Sequence, residues 1–191
     1  MVERPPTQRL FFALWPSDAQ RQTMVDWIDA LGLGQQGRPV SEQNLHITLV
    51  FLGDTPLDRV DCIISRAAPS NAASFVLRFD RLGYFRRAQV LWAGVSHLPP
   101  VLARLHHELE QALVPCGYRP EPREFTPHLT LRRKVARKPE LPADPSPLLW
   151  PIDQFCLVSS MLTPAGAEYS VVKRYPLGAP NTDRMTAESP T

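Results

Sequence analysis

The sequence predicts an α+β fold built mainly on antiparallel sheet. Strand-like segments outnumber helical ones, and they occur in clusters that single helices interrupt. Hydrophobic residues make up 43% of the 191-residue chain and charged residues 21%, a balance typical of a globular protein with a sizeable core. Neither a P-loop nor a strand followed by GxGxxG occurs in the sequence, which argues against dinucleotide and nucleoside triphosphate sites.

The first predicted elements are a strand and a helix. Residues 9–15 form an apolar run that ends at Pro16, as expected of a buried strand. Ser17 and Gln20 have the spacing of a capping box, and apolar residues recur behind them at helical intervals. Gly32 stands where this helix should end.

Three further strands and a second helix follow. Residues 45–52 have the apolar and β-branched composition of a strand. Pro56 and Asp58 suit the first turn of a helix with an apolar inner stripe. Apolar and polar residues alternate over 75–79, which predicts a half-buried strand. We expect the strand-like segment 89–95 to be its hairpin partner.

The second half of the chain contains the clearest helical pattern and a proline-rich section. Valine or leucine recurs every four residues over 101–113, which predicts a helix that ends near Gly117. Prolines crowd residues 115–151, so we expect loop there apart from a strand over 128–132. The last two predicted strands are 155–161 and 169–174.

Composition also predicts the redox compartment and the cellular location of the protein. The three cysteines are widely spaced without a CxxC pair, which indicates free thiols in a reducing compartment: Cys62, Cys116 and Cys156. No apolar run reaches the roughly 18 residues of a membrane helix and no signal-peptide pattern occurs, so we expect a cytoplasmic protein that contacts no membrane. Nothing in the sequence requires a dimer, so we expect a monomer.

We expect a single domain over residues 1–177. Residues 178–191 are polar and without pattern, which indicates a frayed tail. The net charge is only +2, so any contact with a nucleic acid must be local rather than spread over the whole surface.

A small internal repeat is the most informative feature. The tetrapeptide H-x-T-L occurs at residues 46–49 and again at 128–131, although this composition would give it roughly 0.03 times by chance. Both copies lie in strand-like segments. Side chains two apart on a strand share a face, so each histidine should lie beside its threonine while the apolar residues point into a core.

Such paired groups suit chemistry at phosphorus. Two imidazoles on opposite sides of a substrate, His46 and His128, can act as general base and general acid near neutral pH. The hydroxyls of Thr48 and Thr130 can donate to the phosphate oxygens. No metal is required when the leaving oxygen belongs to a strained ring. The alternative is that both pairs are merely satisfied polar faces of strands, which two matched copies make the weaker interpretation.

The chain resembles the 2H phosphoesterases, and within them the bacterial RNA 2′,3′-cyclic phosphodiesterases, which are also described as 2′-5′ RNA ligase-like proteins. Their signature is two H-x-T/S-x elements with apolar x. Further similar segments are RLFFALWP, GRPVSEQNLHITLVFLG, LWAGV, FTPHLTLRR and YSVVKRYPL. The resemblance implies a bilobal, duplicated α+β fold with two antiparallel sheets, outer helices and a central cleft that holds both His–Thr pairs.

The same resemblance implies hydrolysis of a 2′,3′-cyclic phosphate, on an RNA end or a nucleoside, to a 2′-phosphate without a cofactor. Carried over to this sequence, His46 protonates the departing 3′ oxygen, His128 activates water, and both threonines hold the phosphate. The sequence leaves open whether the imidazoles exchange these roles. A 2′-5′ ligation would be the same chemistry in reverse, with a ribose hydroxyl in place of water and no ATP.

A basic cluster follows the second tetrapeptide. Strict alternation puts Arg132 on the face of His128, whereas the family pattern puts the phosphate-contacting arginine five residues after that histidine, at Arg133. Both remain candidates for phosphate binding. The two assignments agree only if the strand ends or bulges after Leu131.

Four aromatic residues could stack on a nucleobase: Phe12, Trp15, Phe125 and Tyr169. The competing interpretation makes each an ordinary core residue. Residues 106–108, His-His-Glu, lack the spacing of a metal site on a helix, so we expect a solvated helix face there.

Two other functions fit part of the pattern. An RNA- or nucleotide-binding module could share the fold without turnover, although the intact His–Thr pairs argue against it. A metallohydrolase could use His46 and His128 as ligands, but the sequence has no acidic or histidine cluster around them and threonine is a poor zinc ligand.

Overall fold

The computed structural model describes residues 5–68, 72–164 and 166–179, in which three α-helices pack on antiparallel sheets. The helices are α1 (Asp18–Ala30), α2 (Leu57–Arg66) and α3 (Pro100–Leu113). The strands are β1 (Thr7–Leu14), β2 (Arg38–Pro39), β3 (Ile47–Pro56), β4 (Phe75–Phe79), β5 (Arg81–Phe85), β6 (Val90–Gly94), β7 (His128–Arg133), β8 (Leu148–Ile152), β9 (Gln154–Thr163) and β10 (Gly166–Pro176). The predicted α+β class is confirmed.

The larger sheet has the order β10-β9-β1-β3-β7-β6-β5, with the short β2 beside β7. It consists of two halves that meet where β3 and β7 form a single antiparallel pair, Ile47 with Leu129. A separate two-stranded sheet joins β4 to β8. This arrangement agrees with the two-lobed fold that the family resemblance implies.

One face of the large sheet packs against a core to which all three helices contribute. The paired residues Ile47 and Leu129 are completely buried, and both belong to a core cluster that includes Met24 of α1, Ile63 of α2 and Leu105 of α3. The apolar positions of both tetrapeptides therefore point toward the helices. The alternate positions, which carry the histidines and threonines, face away from them.

The predicted helix ends are largely correct. Ser17 and Gln20 form the reciprocal hydrogen bonds of a capping box at the start of α1. A short 3-10 turn extends α3, and Gly117 then adopts φ +85, a left-handed conformation that glycine reaches at little cost.

Two strand pairings differ from the prediction. The hairpin partner of β6 is β5, not β4, and β4 pairs instead with β8. Strand β8 lies within the proline-rich section that was expected to be loop. Leu148, Trp150 and Ile152 alternate inward while Pro151 is exposed, so the missing amide of the proline costs little in this edge strand.

The cysteine prediction is wrong for two of the three residues. Cys62 on α2 and Cys116 after α3 form a disulfide, because the packing of the two helices brings their Cα atoms within 5.8 Å. Cys156 is a buried free thiol. The described residues include no helix long and apolar enough to cross a membrane. Most of the predicted tail, residues 180–191, lies outside the described residues.

The disulfide predicts that one thiol reacts with Ellman's reagent in denatured, unreduced protein. Reduction, or the substitution Cys62→Ser, should lower the free energy of unfolding by about 4 kcal/mol, the chain-entropy value for a loop of 54 residues. Denaturant titrations with and without reductant measure this, with Cys156→Ser as the control that keeps the disulfide. Three reactive thiols in the unreduced protein would contradict the pairing.

Candidate active site

The two tetrapeptides lie side by side at the seam between the sheet halves. Ile47 pairs with Leu129, so continuing the antiparallel register by one residue sets His46 across from Thr130 and Thr48 across from His128. All four side chains are half-buried on the face opposite the helices. The seam therefore brings the two copies of the repeat together as an approximately two-fold arrangement of imidazoles and hydroxyls.

The His46 imidazole is held at both ring nitrogens. Nδ1 donates to the carbonyl oxygen of Asn44 at 2.7 Å, which makes Nε2 the acceptor in the neutral ring. The Thr48 hydroxyl lies 3.2 Å from Nε2 and can donate to it. These bonds fix the tautomer and aim Nε2 at the region between the strands.

His128 is oriented in the same way. Its Nδ1 donates at 2.8 Å to the carbonyl oxygen of Thr126, which again stands two residues before the histidine. The edges of the rings of Phe85 and Trp92 support the imidazole, with centroid distances of 5.1 and 6.4 Å. The repeat thus extends beyond H-x-T-L to the backbone carbonyl that sets each tautomer, a feature that the sequence does not display.

Burial lowers the pKa of both imidazoles. For His46 burial dominates, with smaller effects from Arg133 and His128, and the pKa falls to about 4 although the Asn44 carbonyl opposes the shift. The pKa of His128 is also below its usual value, first because of burial and further because of Arg133, against the Thr126 carbonyl. Both rings are therefore mainly neutral at neutral pH in the free protein.

The structure separates the two arginine candidates. The pairing of β6 with β7 skips Leu131, a bulge that turns Arg133 toward the same cavity as His46. Arg132 instead donates through Nε to the carbonyl oxygen of Gln36 at 2.7 Å and binds the adjacent loop. Gly37 of that loop lies so close to the Arg133 backbone that a side chain would collide with it.

Aromatic rings surround the His46 imidazole. Trp15 stacks on it with a centroid distance of 5.5 Å, and the ring of Tyr169 is nearly perpendicular to it at a centroid distance of 5.3 Å. Phe11 contacts both His46 and Tyr169 at 5.1 Å. Sequence reasoning named Trp15 and Tyr169 but missed Phe11, which alternation from Trp15 along β1 could have found.

Two of the stacking candidates pack against other protein side chains. Phe12 is completely buried between Phe155 and Tyr175, because it points to the helix side of β1. Phe125 stacks on His106 of α3 at 4.0 Å instead of lining the cavity. The expectation of a solvated face at 106–108 is confirmed for His107 and Glu108, which are exposed, and is wrong for His106, which is half-buried.

A cavity of about 1060 Å³ lies along this face of the sheet. His46, Thr48, Thr130, Arg133 and Tyr169 line it, and His128 lies on the same face of the sheet, against the ring of Phe85. Among the described residues, no group of three or more His, Cys, Asp or Glu side chains is placed to hold a metal ion.

Comparison with known proteins identifies the family. The model of the 2′-5′ RNA ligase superfamily matches residues 16–161. RNA 2′,3′-cyclic phosphodiesterase of Escherichia coli K12 is 29% identical over 170 residues, which cover 89% of this chain and 97% of that protein. The protein of the same name from Thermotoga maritima is 32% identical over 151 residues, 70% of this chain and 75% of that protein.

Solved structures agree. The crystal structure of E. coli LigT in apo form has a TM-score of 0.80 at 28% identity, covering 91% of this chain and 99% of that one. LigT complexed with 3′-AMP has a TM-score of 0.80 at 29% identity, covering 90% and 98%. The fold, with its two matched His–Thr pairs, is that of the 2H phosphoesterases, as the sequence predicted. The chain belongs to the 2′-5′ RNA ligase superfamily.

The lowered pKa of His46 predicts a pH-dependent loss of stability. Between its unfolded value of 6.5 and its folded value of about 4, the unfolded chain binds a proton that the folded chain does not. The stability that His46 contributes is therefore complete above pH 6.5 and is lost as the pH falls toward 4. The loss is at most about 3 kcal/mol.

Denaturant titrations at about pH 7 and about pH 4 measure this effect. The drop in unfolding free energy between the two pH values should be smaller in His46→Gln than in the unsubstituted protein, because glutamine does not titrate. His97→Gln, at an exposed histidine, is the control and should keep the full drop. An equal drop in all three proteins would contradict the buried, neutral imidazole.

Proposed function

We propose that this protein hydrolyses a 2′,3′-cyclic phosphate at the end of an RNA, or on a nucleoside, to a 2′-phosphate. The observation that carries the proposal is the seam, where His46 and His128 each lie beside one threonine on the same sheet face. The relatives named RNA 2′,3′-cyclic phosphodiesterase support this substrate class. LigT in complex with 3′-AMP supports a nucleotide as the ligand of the cleft.

The reaction is an in-line displacement at phosphorus. One imidazole accepts a proton from water through Nε2 while the water oxygen bonds to phosphorus. The bond from phosphorus to the 3′ oxygen breaks, its electron pair remains on that oxygen, and the other imidazole supplies the proton. The bond to the 2′ oxygen is retained, so the product is a 2′-phosphate with a free 3′ hydroxyl.

The two threonines and Arg133 are placed to bind the phosphate on which this reaction takes place. The hydroxyls of Thr48 and Thr130 flank the seam and can donate to the non-bridging oxygens. The Arg133 guanidinium lines the same cavity and is near enough to lower the pKa of both imidazoles. A bound phosphate would offset that positive charge. Arg132 is engaged with the backbone of the adjacent loop and is the weaker candidate.

Burial constrains which imidazole can act as the general acid and which as the general base. The resemblance makes His46 the acid, yet burial favours its neutral form in the free protein. An acid role for His46 therefore requires the bound phosphate to raise its pKa, since a nearby negative charge favours the protonated imidazole. His128 is less strongly perturbed and fits the base role without that requirement.

The proposal predicts turnover of an oligoribonucleotide that ends in a 2′,3′-cyclic phosphate, in the presence of EDTA, with the 2′-phosphate as product. His46→Ala and His128→Ala should each lower kcat/KM by at least about 100-fold, because each removes a positioned acid or base. Chromatography against 2′- and 3′-phosphate standards measures both rate and product. Adding an RNA with a free 5′ hydroxyl to the same assay tests 2′-5′ ligation.

His107→Ala is the matched control, because His107 is exposed on α3 behind the sheet, and it should keep full activity. Near-normal rates in either active-site variant would contradict the two-imidazole mechanism. Binding of the RNA without turnover would indicate a binding module instead, and turnover abolished by EDTA would indicate a metallohydrolase.

A substrate with sulfur in place of the 3′ oxygen assigns the acid. A thiolate leaves without protonation, so a variant that lacks the acid should recover most of its rate on this substrate while a variant that lacks the base should not. With His46 as the acid, His46→Ala is rescued and His128→Ala is not. The opposite pattern would exchange the roles, and rescue of neither would contradict acid catalysis of leaving-group departure.

A further inference from the structure

One buried carboxylate has no part in the proposed reaction. Glu110 lies on α3 and is only 8% exposed, and of all the residues that the structure describes it is the one charged side chain that is buried. Burying a carboxylate without partners is costly, so such a group is normally held by hydrogen-bond donors. The partners of Glu110 therefore indicate what the carboxylate holds in place.

Glu110 binds the start of the segment that leads to His128. Residues 118–127 belong to no helix or strand and connect α3 and its 3-10 extension to β7. Oε1 of Glu110 accepts a hydrogen bond from the Tyr118 hydroxyl at 3.2 Å and another from the backbone N–H of Glu121 at 3.3 Å. The carboxylate thereby fixes both a side chain and the backbone of this irregular segment.

A second contact fixes the end of the same segment. Oε2 of Glu110 lies 3.8 Å from Nδ1 of His106, which is four residues earlier on the same helix face. The ring of Phe125 stacks on that imidazole at a centroid distance of 4.0 Å and an interplanar angle of 13°. Glu110 therefore restricts the orientation of the imidazole, and the imidazole restricts that of Phe125.

Phe125 directly precedes the group that orients His128. The next residue is Thr126, whose carbonyl oxygen accepts the hydrogen bond from Nδ1 of His128 at 2.8 Å. An acceptor on Nδ1 keeps the proton of the neutral ring on that nitrogen and leaves Nε2 as the acceptor. The position of one carbonyl at the end of an irregular segment thus determines whether His128 can act as a base.

The first imidazole has a separate support. His46 donates to the carbonyl oxygen of Asn44, which belongs to a short 3-10 turn. The side-chain amide of Asn44 in turn donates at 2.9 Å to the carbonyl oxygen of Ala167 on β10. Neither contact involves α3, so a change at Glu110 should act on His128 and leave His46 as an internal control.

We propose that Glu110 is a positioning residue for His128. Its carboxylate anchors both ends of the segment 118–127, so that the Thr126 carbonyl stays where it holds the proton on Nδ1. Without that constraint the neutral imidazole would also carry its proton on Nε2, which then could not accept one from water. The inference rests on the proposed function for its effect on rate, whereas its effect on the tautomer of His128 is independent of that function.

Nitrogen NMR of isotope-labelled imidazoles measures the tautomer directly. Near neutral pH the unsubstituted protein should show His128 protonated at Nδ1. In Glu110→Ala the His128 signals should move toward a mixture of both tautomers, while those of His46 stay unchanged. Glu110→Gln keeps an oxygen that accepts both hydrogen bonds and should retain the original signals. Glu108→Ala, at an exposed carboxylate on the same helix, is the matched control and should change neither histidine.

The same variants are compared in the hydrolysis of cytidine 2′,3′-cyclic phosphate. Glu110→Ala should lower kcat about 10-fold, the lower end of the scale for partners that orient functional histidines, and KM should change little because the cleft is not altered. Glu110→Gln should retain most of the rate. Phe125→Leu removes the stacked ring but keeps an apolar side chain, so it tests the second contact even where Glu110→Ala is too unstable to purify. It should give the same selective change at His128.

A selective shift of the His128 signals in either variant supports the proposal. Unchanged His128 signals in both would overturn it, because a merely structural role predicts a lower free energy of unfolding and no change of tautomer. Equal changes at His46 and His128 would also overturn it, since they indicate a general loosening of the sheet. If the His128 signals shift selectively but the unsubstituted protein hydrolyses no cyclic phosphate, the proposed function fails and the positioning by Glu110 stands.

Discussion

The pairing of Ile47 with Leu129 joins the two halves of the large sheet and decides how their polar side chains meet. Because both residues are completely buried against the helices, their neighbours on each strand must face the other way. A slip of one residue would bury an imidazole in the core and expose an apolar side chain. Hydrophobic burial of the seam thus enforces the register that sets His46 and His128 on the same face of the sheet.

The same burial determines the electrostatic character of the site. Removing His46 from water favours its neutral form, and the Arg133 guanidinium acts in the same direction on both imidazoles. The free site therefore has an excess of positive charge at Arg133 without two protonated histidines beside it. A bound phosphate would provide the opposite charge, so under the proposed mechanism ligand binding and protonation of an imidazole would support each other.

The sequence patterns correctly predicted those elements that are determined by residues close together in the chain. The capping box at Ser17, the four-residue repeat of α3 and the alternation within each H-x-T-L element depend on neighbours in sequence. The failures involve partners that are distant in sequence. Alternation along β1 could have indicated Phe11 rather than Phe12, but the pairing of β4 with β8 joins segments that lie far apart in the chain. The bond of Cys62 to Cys116 likewise depends on the packing of α2 against α3.

The strand order also bears on how the chain folds as it is synthesised. Strand β1 pairs with β3 on one side and with β9 on the other, and β10 completes that half of the sheet. One half of the sheet carries His46 and is built from the first and last strands of the chain. The strands of the other half, which carries His128, come between them in the sequence. On the ribosome, β5, β6 and β7 can pair with near neighbours, while β1 keeps one edge open until β9 emerges. The cleft is closed around His46 only when the last strands arrive.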